Sequence, residues 1–329
     1  MRARYTVRVT ATIPGTRAAS RQCHRRCRAS FRAVKSATPT GLVVEGGAMR
    51  GIFSAGVLDA FHAHSFFPFD LAIGASAGAC NIACFLALQE GRNRRCYLNQ
   101  MSRREFIDSR RALRGGNVID LDWLWDAFAR EDPLDVAAAI QSRVALFVAV
   151  TPVATGIARY VRPREADLLQ LLKGSCALPG LYRGRVEIAG ERVVDGSIGD
   201  PLPVEEAYRR GARRIVVVRS RDASFVKRQS LANRASAALF WRTPGLQRAI
   251  LSLPERYQAA VAFIERPPAD CQIVHVTPDR PLAAGRTTQD ARALEHDYLL
   301  GRRAGERAVL AWEGRAKSDR RQESPLHSP

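Results

Sequence analysis

The chain has 329 residues, 46% of them hydrophobic, and a formal net charge of +19. That is enough apolar sequence for one large core or two modest ones, but no apolar run is longer than that at residues 144–150, which falls far short of the ~20 residues a membrane-spanning helix needs. The basic N-terminus lacks the apolar segment of a secretory signal, and the composition reads as a cytoplasmic globular protein.

The charge is unevenly spread. Residues 1–40 carry ten Lys or Arg and no acid, while the other 289 residues carry 41 basic and 32 acidic side chains. An acid-free basic arm suits nucleic acid or an anionic membrane surface. It equally suits a disordered extension too polar to fold. Seven cysteines show no disulfide framework for a chain this long, and Cys23, His24 and Cys27 offer too few ligands for a strong metal site. Cys80 and Cys84, one helical turn apart, read as small buried hydrophobes.

Order is expected to begin at "TGLVVEGGAMRG", where Leu42, Val43 and Val44 form a buried strand. A glycine-rich turn and a helix over 52–64 follow. Residues 69–76 read as a second strand and 77–91 as a helix stopped by Gly91. Residues 144–151 are a third buried strand, 165–175 an amphipathic helix capped near Gly174, and 186–197 a hairpin turning at Gly190. A helix over 203–212 leads to strands at 213–220 and 271–278. Unbroken apolar strands alternating with helices predict an α/β sheet covered on both faces. The expected organisation is a basic, disordered extension (1–40), one catalytic-size domain (41–312) and a disordered tail (313–329).

Three places carry chemistry. In "AIGASAGACN", Ser76 sits between Gly74 and Gly78 at a strand-to-helix turn, which pushes a hydroxyl outward beside a positive helix end. The alternative is a serine between two glycines by chance. In "EGGAMRG", Gly46 and Gly47 expose backbone N–H groups suited to a developing oxyanion. A dinucleotide loop is disfavoured there because the spacing is not G-x-G-x-x-G. Arg50 adds a cation at the same turn. None of the six histidines lies in a Gly-flanked loop at a strand end: His24 and His327 lie in the tails, His62 and His64 in a surface turn, His275 in a strand, His296 on a helix. Asp195 does, in "VVDGSIGDPLP". It reads either as a base, effective when desolvated and aligned, or as an ordinary Asp-Gly turn.

Together "GGAMRG" (46–51), "GASAG" (74–78) and "DGS" (195–197), in that order, resemble the patatin-like phospholipase family. "VEGGAMRGIFSAGVLDAF" and "DGSIGDPLPVEEA" are similar to its bacterial branch, and the likeness covers roughly 41–312. The resemblance implies a three-layer α/β/α fold with a mainly parallel central sheet. It implies lipid acyl hydrolysis by a dyad of Ser76 as nucleophile and Asp195 as proton acceptor, without histidine. Backbone N–H groups of Gly46, Gly47, Ala48 and Ala77 would form the oxyanion hole. Arg50 and Gly51 would support the loop or meet a lipid phosphate, and Gly74, Gly78 and Gly196 would shape the turns. No metal or organic cofactor is implied; the partner is a lipid or phospholipid substrate. Two positions depart from the family pattern: Ala48 stands where a third glycine is usual, and Ser197 where glycine or alanine is.

The stretch 219–256 has eight basic and two acidic residues interleaved with Phe225, Leu231, Leu239, Phe240, Trp241, Leu246 and Ile250. It reads as a helix pair packing its apolar side on the domain, or as a surface docking on anionic lipid. A soluble-ester carboxylesterase or thioesterase would share every catalytic residue. A nucleic-acid or lipid-binding protein without catalysis would leave the three ordered motifs unexplained.

Overall fold

The computed structural model describes residues 38–322. The elements that position the site are β1 (Thr40–Val44), α1 (Gly51–Ala63), β2 (Leu71–Ala75), α2 (Ala77–Leu86), α3 (Leu121–Glu131), β3 (Ala145–Pro152), β4 (Arg159–Val161), α4 (Leu168–Ser175), β5 (Val186–Ile188), β6 (Glu191–Asp195), α5 (Val204–Arg209), β7 (Arg214–Val218), α6 (Leu231–Ala238), α7 (Pro244–Leu251), α8 (Leu253–Glu265), β8 (Gln272–Val276) and α9 (Ala291–Gln322).

Eight strands form one sheet in the order β5-β6-β3-β2-β1-β7-β8, with β4 on β3. The β3-β2-β1-β7-β8 run is parallel, and β4, β5 and β6 pair antiparallel. Successive strand residues point to opposite faces, and here both faces are covered. Leu42, Val44, Val216 and Val218 join a core under α1, α2 and α9, whereas Val43, Ile215 and Val217 join a second core with Val204, Ala207, Tyr257 and Val261 of α5 and α8. The result is the expected three-layer α/β/α arrangement, and the unbroken Val/Ile/Leu strands follow from burial on both sides.

Several local expectations differ. The helix after Ser76 ends at Leu86, short of Gly91, because Leu88 turns left-handed at φ 57°. Gly91, also left-handed, starts the next short helix. The helix over 168–175 has Cys176 at its C-cap. His62 is not in a surface turn: it lies in the last turn of α1, half-buried, with its ring edge-on to Phe67 and Phe85. The β4 strand was unanticipated. The last helix continues to Gln322, beyond residue 312, so the stretch expected as tail is helical over its first part. The basic arm, with Cys23, His24 and Cys27, and the final residues with His327 lie outside the described residues.

The 219–256 stretch folds as α6, α7 and the start of α8. Ala237, Leu246, Ala249 and Ile250 pack inward on Val153, Val194 and Ile198. Leu231 and Trp241 point outward, 83% and 69% exposed. No helix among the described residues is long and apolar enough to cross a membrane.

Candidate active site

Strand β2 ends at Ala75 and α2 begins at Ala77, so Ser76 alone makes the turn. Its backbone sits at φ 53° and ψ −130°, a conformation that costs a side-chain-bearing residue about 1–3 kcal/mol and must be held by its surroundings. The holder is Ser175: the Ser76 N–H donates to Ser175 Oγ at 2.8 Å, and that hydroxyl donates to the Ala149 carbonyl at 2.7 Å. The flanking glycines allow close approach. A Cβ on Gly78 would lie 2.4 Å from the Val44 carbonyl oxygen, and one on Gly74 would lie 2.6 Å from Ala79 N.

Sheet register brings Asp195 to this serine. Ala75 pairs with Ala149 on one side of β3, and Asp195 pairs with Val150 on the other. Ser76 and Asp195 therefore flank the same end of β3. The Ser76 hydroxyl donates to Asp195 Oδ2 at 2.7 Å, and the Ser197 N–H donates to Oδ1 at 2.8 Å. Thr151 Oγ1 fixes the turn, donating to the Asp195 carbonyl and accepting from Gly199 N–H. A Cβ on Gly196 would lie 2.1 Å from the Ala149 carbonyl oxygen. Asp195 is 1% exposed. Burial pushes its carboxyl above the ordinary value, opposed by the bonds from Ser76 and Ser197 and by the field of Arg286.

The loop after β1 lies alongside. Glu45 is buried and accepts from both the N–H and the hydroxyl of Ser220. A Cβ on Gly46 would strike Ser197 Oγ at 2.3 Å. Ala48, where the family's third glycine is usual, adopts φ 49°. Among the described residues, no backbone carbonyl accepts from the N–H groups of Gly46, Gly47, Ala48 or Ala77. Gly51 starts α1 against Tyr97, whose hydroxyl a Cβ there would meet at 2.2 Å. Arg50 is 5% exposed; burial lowers its pKa to about 10, and its Nε has no hydrogen-bond partner among the described residues.

Two cavities meet at the serine. One is a narrow apolar pocket of about 70 Å³ lined by Phe106, Ile107, Ile119, Leu121, Leu124 and Phe128, among others. The other is a wide cleft of about 780 Å³. Ala48, Ser76, Leu178 and Arg286 line both. Among the described residues, Asp195 and Glu45 are the carboxylates that line the cleft, together with Arg50, Arg221, Lys227, Arg228 and Arg286.

Every residue singled out in the three motifs thus falls in or against one site. Sequence reasoning missed Ser175 and Thr151, which carry no motif, and Arg286, which lies in a loop with no pattern around it. The described histidines line neither cavity. His62 and His275 are held neutral, burial lowering each to about 4. His275 lies in β8 as expected, and its Nε2 has no hydrogen-bond partner among the described residues. Of the two cysteines read as buried hydrophobes, Cys84 is one and accepts from Arg92. Cys80 is half-buried in the apolar pocket, its sulfur 3.7 Å from that of Cys176. No group of three or more His, Cys, Asp or Glu among the described residues is placed to hold a metal.

A strained serine on a parallel strand-to-helix turn, bonded to a buried carboxylate beside free backbone N–H groups, defines an α/β protein with a serine–aspartate pair at the carboxyl end of its sheet. The chain belongs to the patatin-like phospholipase family, a family of lipid acyl hydrolases: that family's profile matches residues 42–208. A second profile, a domain of unknown function (DUF6363), matches residues 243–315. The chain is 36% identical over 286 residues to YjjU of Escherichia coli strain K12, described as uncharacterized, a match covering 85% of this chain and 79% of that protein. The crystal structure of VipD from Legionella pneumophila is similar at 15% identity and a TM-score of 0.38, over 82% of this chain and 67% of VipD.

Proposed function

We propose that the protein hydrolyses carboxylic ester bonds of lipids, of phospholipase A or lysophospholipase type, through Ser76 and Asp195. The observation that carries this reading is the 2.7 Å bond between Ser76 Oγ and Asp195 Oδ2 where an apolar pocket meets an open cleft. Ser76 Oγ attacks the ester carbonyl while its proton passes to Asp195. Burial makes that carboxylate a stronger base than one in water. The oxyanion is received by N–H groups of Gly46, Gly47, Ala48 and Ala77, each such donor worth about 3 kcal/mol in comparable sites. The proton returns to the departing alkoxide, leaving an acyl group on Ser76. Water then attacks the acyl-enzyme with Asp195 again accepting the proton. The apolar pocket suits the acyl chain, and the cleft suits the alcohol portion.

Docking at a lipid surface belongs to the same reading. Val226 and Leu239 line the cleft and are 54% and 70% exposed, and Leu231 and Trp241 project from the same helical stretch, with Arg242 over the Trp241 ring. Apolar tips among cations suit peripheral contact with an anionic membrane.

The test compares wild type, Ser76→Ala and Asp195→Asn on a p-nitrophenyl ester and on mixed phospholipid vesicles. Turnover of both substrates by wild type, with a loss of at least 10³-fold in either variant, is the expected result. Turnover of the soluble ester alone would favour a carboxylesterase or thioesterase. Absence of Ser76-dependent turnover on both would refute the hydrolase reading.

A further inference from the structure

We propose that the segments outside the patatin-like match complete the active site, and that Arg221, Lys227 and Arg286 with Arg50 form an anion-recognising subsite for a phosphate group on the alcohol portion of the substrate. This rests on the hydrolase reading for where the ester lies, but the subsite has its own geometry and its own test.

Arg50 alone of the four falls within residues 42–208. Arg221 and Lys227 lie between the two matched segments, and Arg286 lies in the segment of unknown function. All four line the cleft that holds Ser76 and Asp195. Its two carboxylates are engaged elsewhere, Asp195 by Ser76 and Ser197, Glu45 by Ser220. Among the described residues, no ion pair joins any of these four cations to an acid. Arg221 instead lies over the Phe225 ring and Lys227 over Tyr257, at 4.1 and 5.1 Å from the ring centres. Arg50 is buried with an unpartnered Nε.

Like charges gathered without a paired acid oppose one another. Lys227 is lowered to about 8, by burial first and then by Arg286, Arg50 and Arg221, against the opposing effect of Glu45. A cluster that costs free energy when empty gains when an anion enters. A phosphate ester brings acceptor oxygens suited to several guanidinium donors, whereas a zwitterionic or uncharged head group offers less compensation.

The unassigned segment is built to present Arg286. Buried Asp297 on α9 accepts from the N–H groups of Ala283 and Ala284 at 3.1 and 2.7 Å, fixing the turn just before it. The Arg286 carbonyl accepts from Met49 N–H in the Gly46–Gly47 loop at 3.4 Å. Helix α9 also lies tight on α1, with Tyr298 donating to Asp59 Oδ2 and Arg302 to the Asp59 carbonyl. The segment of unknown function thereby backs the helix that follows the oxyanion loop and supplies a side chain to the cleft.

The experiment uses the full-length Ser76→Ala protein, so that binding is read without turnover. Octyl phosphate, octyl glucoside and inorganic phosphate are titrated calorimetrically at low salt. Octyl phosphate is expected to bind at least tenfold tighter than octyl glucoside. That margin should disappear in Arg286→Met and in the Arg221→Met/Lys227→Met pair and be retained in Arg286→Lys, which controls for folding. Equal affinity for the two octyl ligands, or an undiminished margin in both Met variants, overturns the subsite. Inorganic phosphate binding as tightly as octyl phosphate overturns its assignment to a lipid head group and indicates a free-phosphate site. On wild type, kcat/KM for a monoacylglycerol phosphate should exceed that for the matching monoacylglycerol by at least tenfold. Failure of the hydrolase reading would show separately, as absent Ser76-dependent ester turnover with the binding margin intact.

Discussion

The Ser175 hydroxyl holds the backbone of Ser76, accepting a hydrogen bond from its N–H at 2.8 Å and donating one to the Ala149 carbonyl at 2.7 Å. A serine in no motif, at the last residue of α4, therefore fixes the strained turn across ninety-nine residues of sequence. Ser175→Ala would leave the Ser76 N–H buried without this acceptor. The expected cost is about 1–3 kcal/mol, with a fall of about tenfold in kcat on a p-nitrophenyl ester as the nucleophile loses alignment. Thermal unfolding and steady-state kinetics check both; an unchanged melting temperature would deny Ser175 this role.

Ser197 offers a handle on the pH profile. Its hydroxyl and its N–H both lower the pKa of Asp195 against the larger effect of burial. Ser197→Ala removes the hydroxyl and keeps the N–H. Asp195 must be ionised to accept the serine proton, so the acid limb of kcat/KM should move to higher pH. A limb that stays in place or moves down would contradict the assignment of that limb to Asp195.

Asp195→Asn separates activity from stability. A carboxyl whose folded pKa is raised keeps its proton longer in the folded chain than in the unfolded one. Folding stability therefore falls as pH rises from 3.8 through the folded value, and the loss persists above it. The Asn variant lacks this term. It should lose activity yet melt higher than wild type at pH 8, with the gap shrinking toward pH 4. Melting curves of both proteins across that range are the measurement.

Ala48 carries left-handed strain at φ 49°. That conformation costs a residue with a Cβ roughly 1–2 kcal/mol, while glycine costs roughly 0.4–1 kcal/mol through the unfolded chain. Ala48→Gly should thus stabilise the fold by about 0.5–1 kcal/mol, read as a higher denaturant midpoint at unchanged slope. A destabilised variant would show that the Ala48 methyl packs usefully against the loop.

Much of this protein was legible in its sequence, because the relevant information is local. Buried strands announce themselves as apolar runs, and so β1, β2, β3, β7 and β8 stand where aliphatic residues cluster. The hairpin turns at Gly190, with Ala189 and Gly190 both at positive φ. The glycines around Ser76 and after Asp195 are required by backbone approaches of 2.1–2.6 Å to a hypothetical Cβ, and a requirement met at one position shows in the residue found there. What stayed hidden depends on partners distant in the chain. Leu88 ended a helix early without glycine or proline to signal it. His62 met Phe67 and Phe85 in an aromatic cluster.

The sequence by itself determined every strand but β4, and the three glycine-flanked motifs that carry Gly46, Ser76 and Asp195. Only the tertiary structure decided that β6 runs antiparallel to β3, so that Asp195 ends beside the same strand as Ser76, 119 residues away. It alone joined Ser175, Thr151 and Arg286 to that site. The physical reason is that hydrogen-bond geometry and unpaired charge are properties of positions in space. A serine, a threonine or an arginine reads the same in any loop until the fold gives it a neighbour.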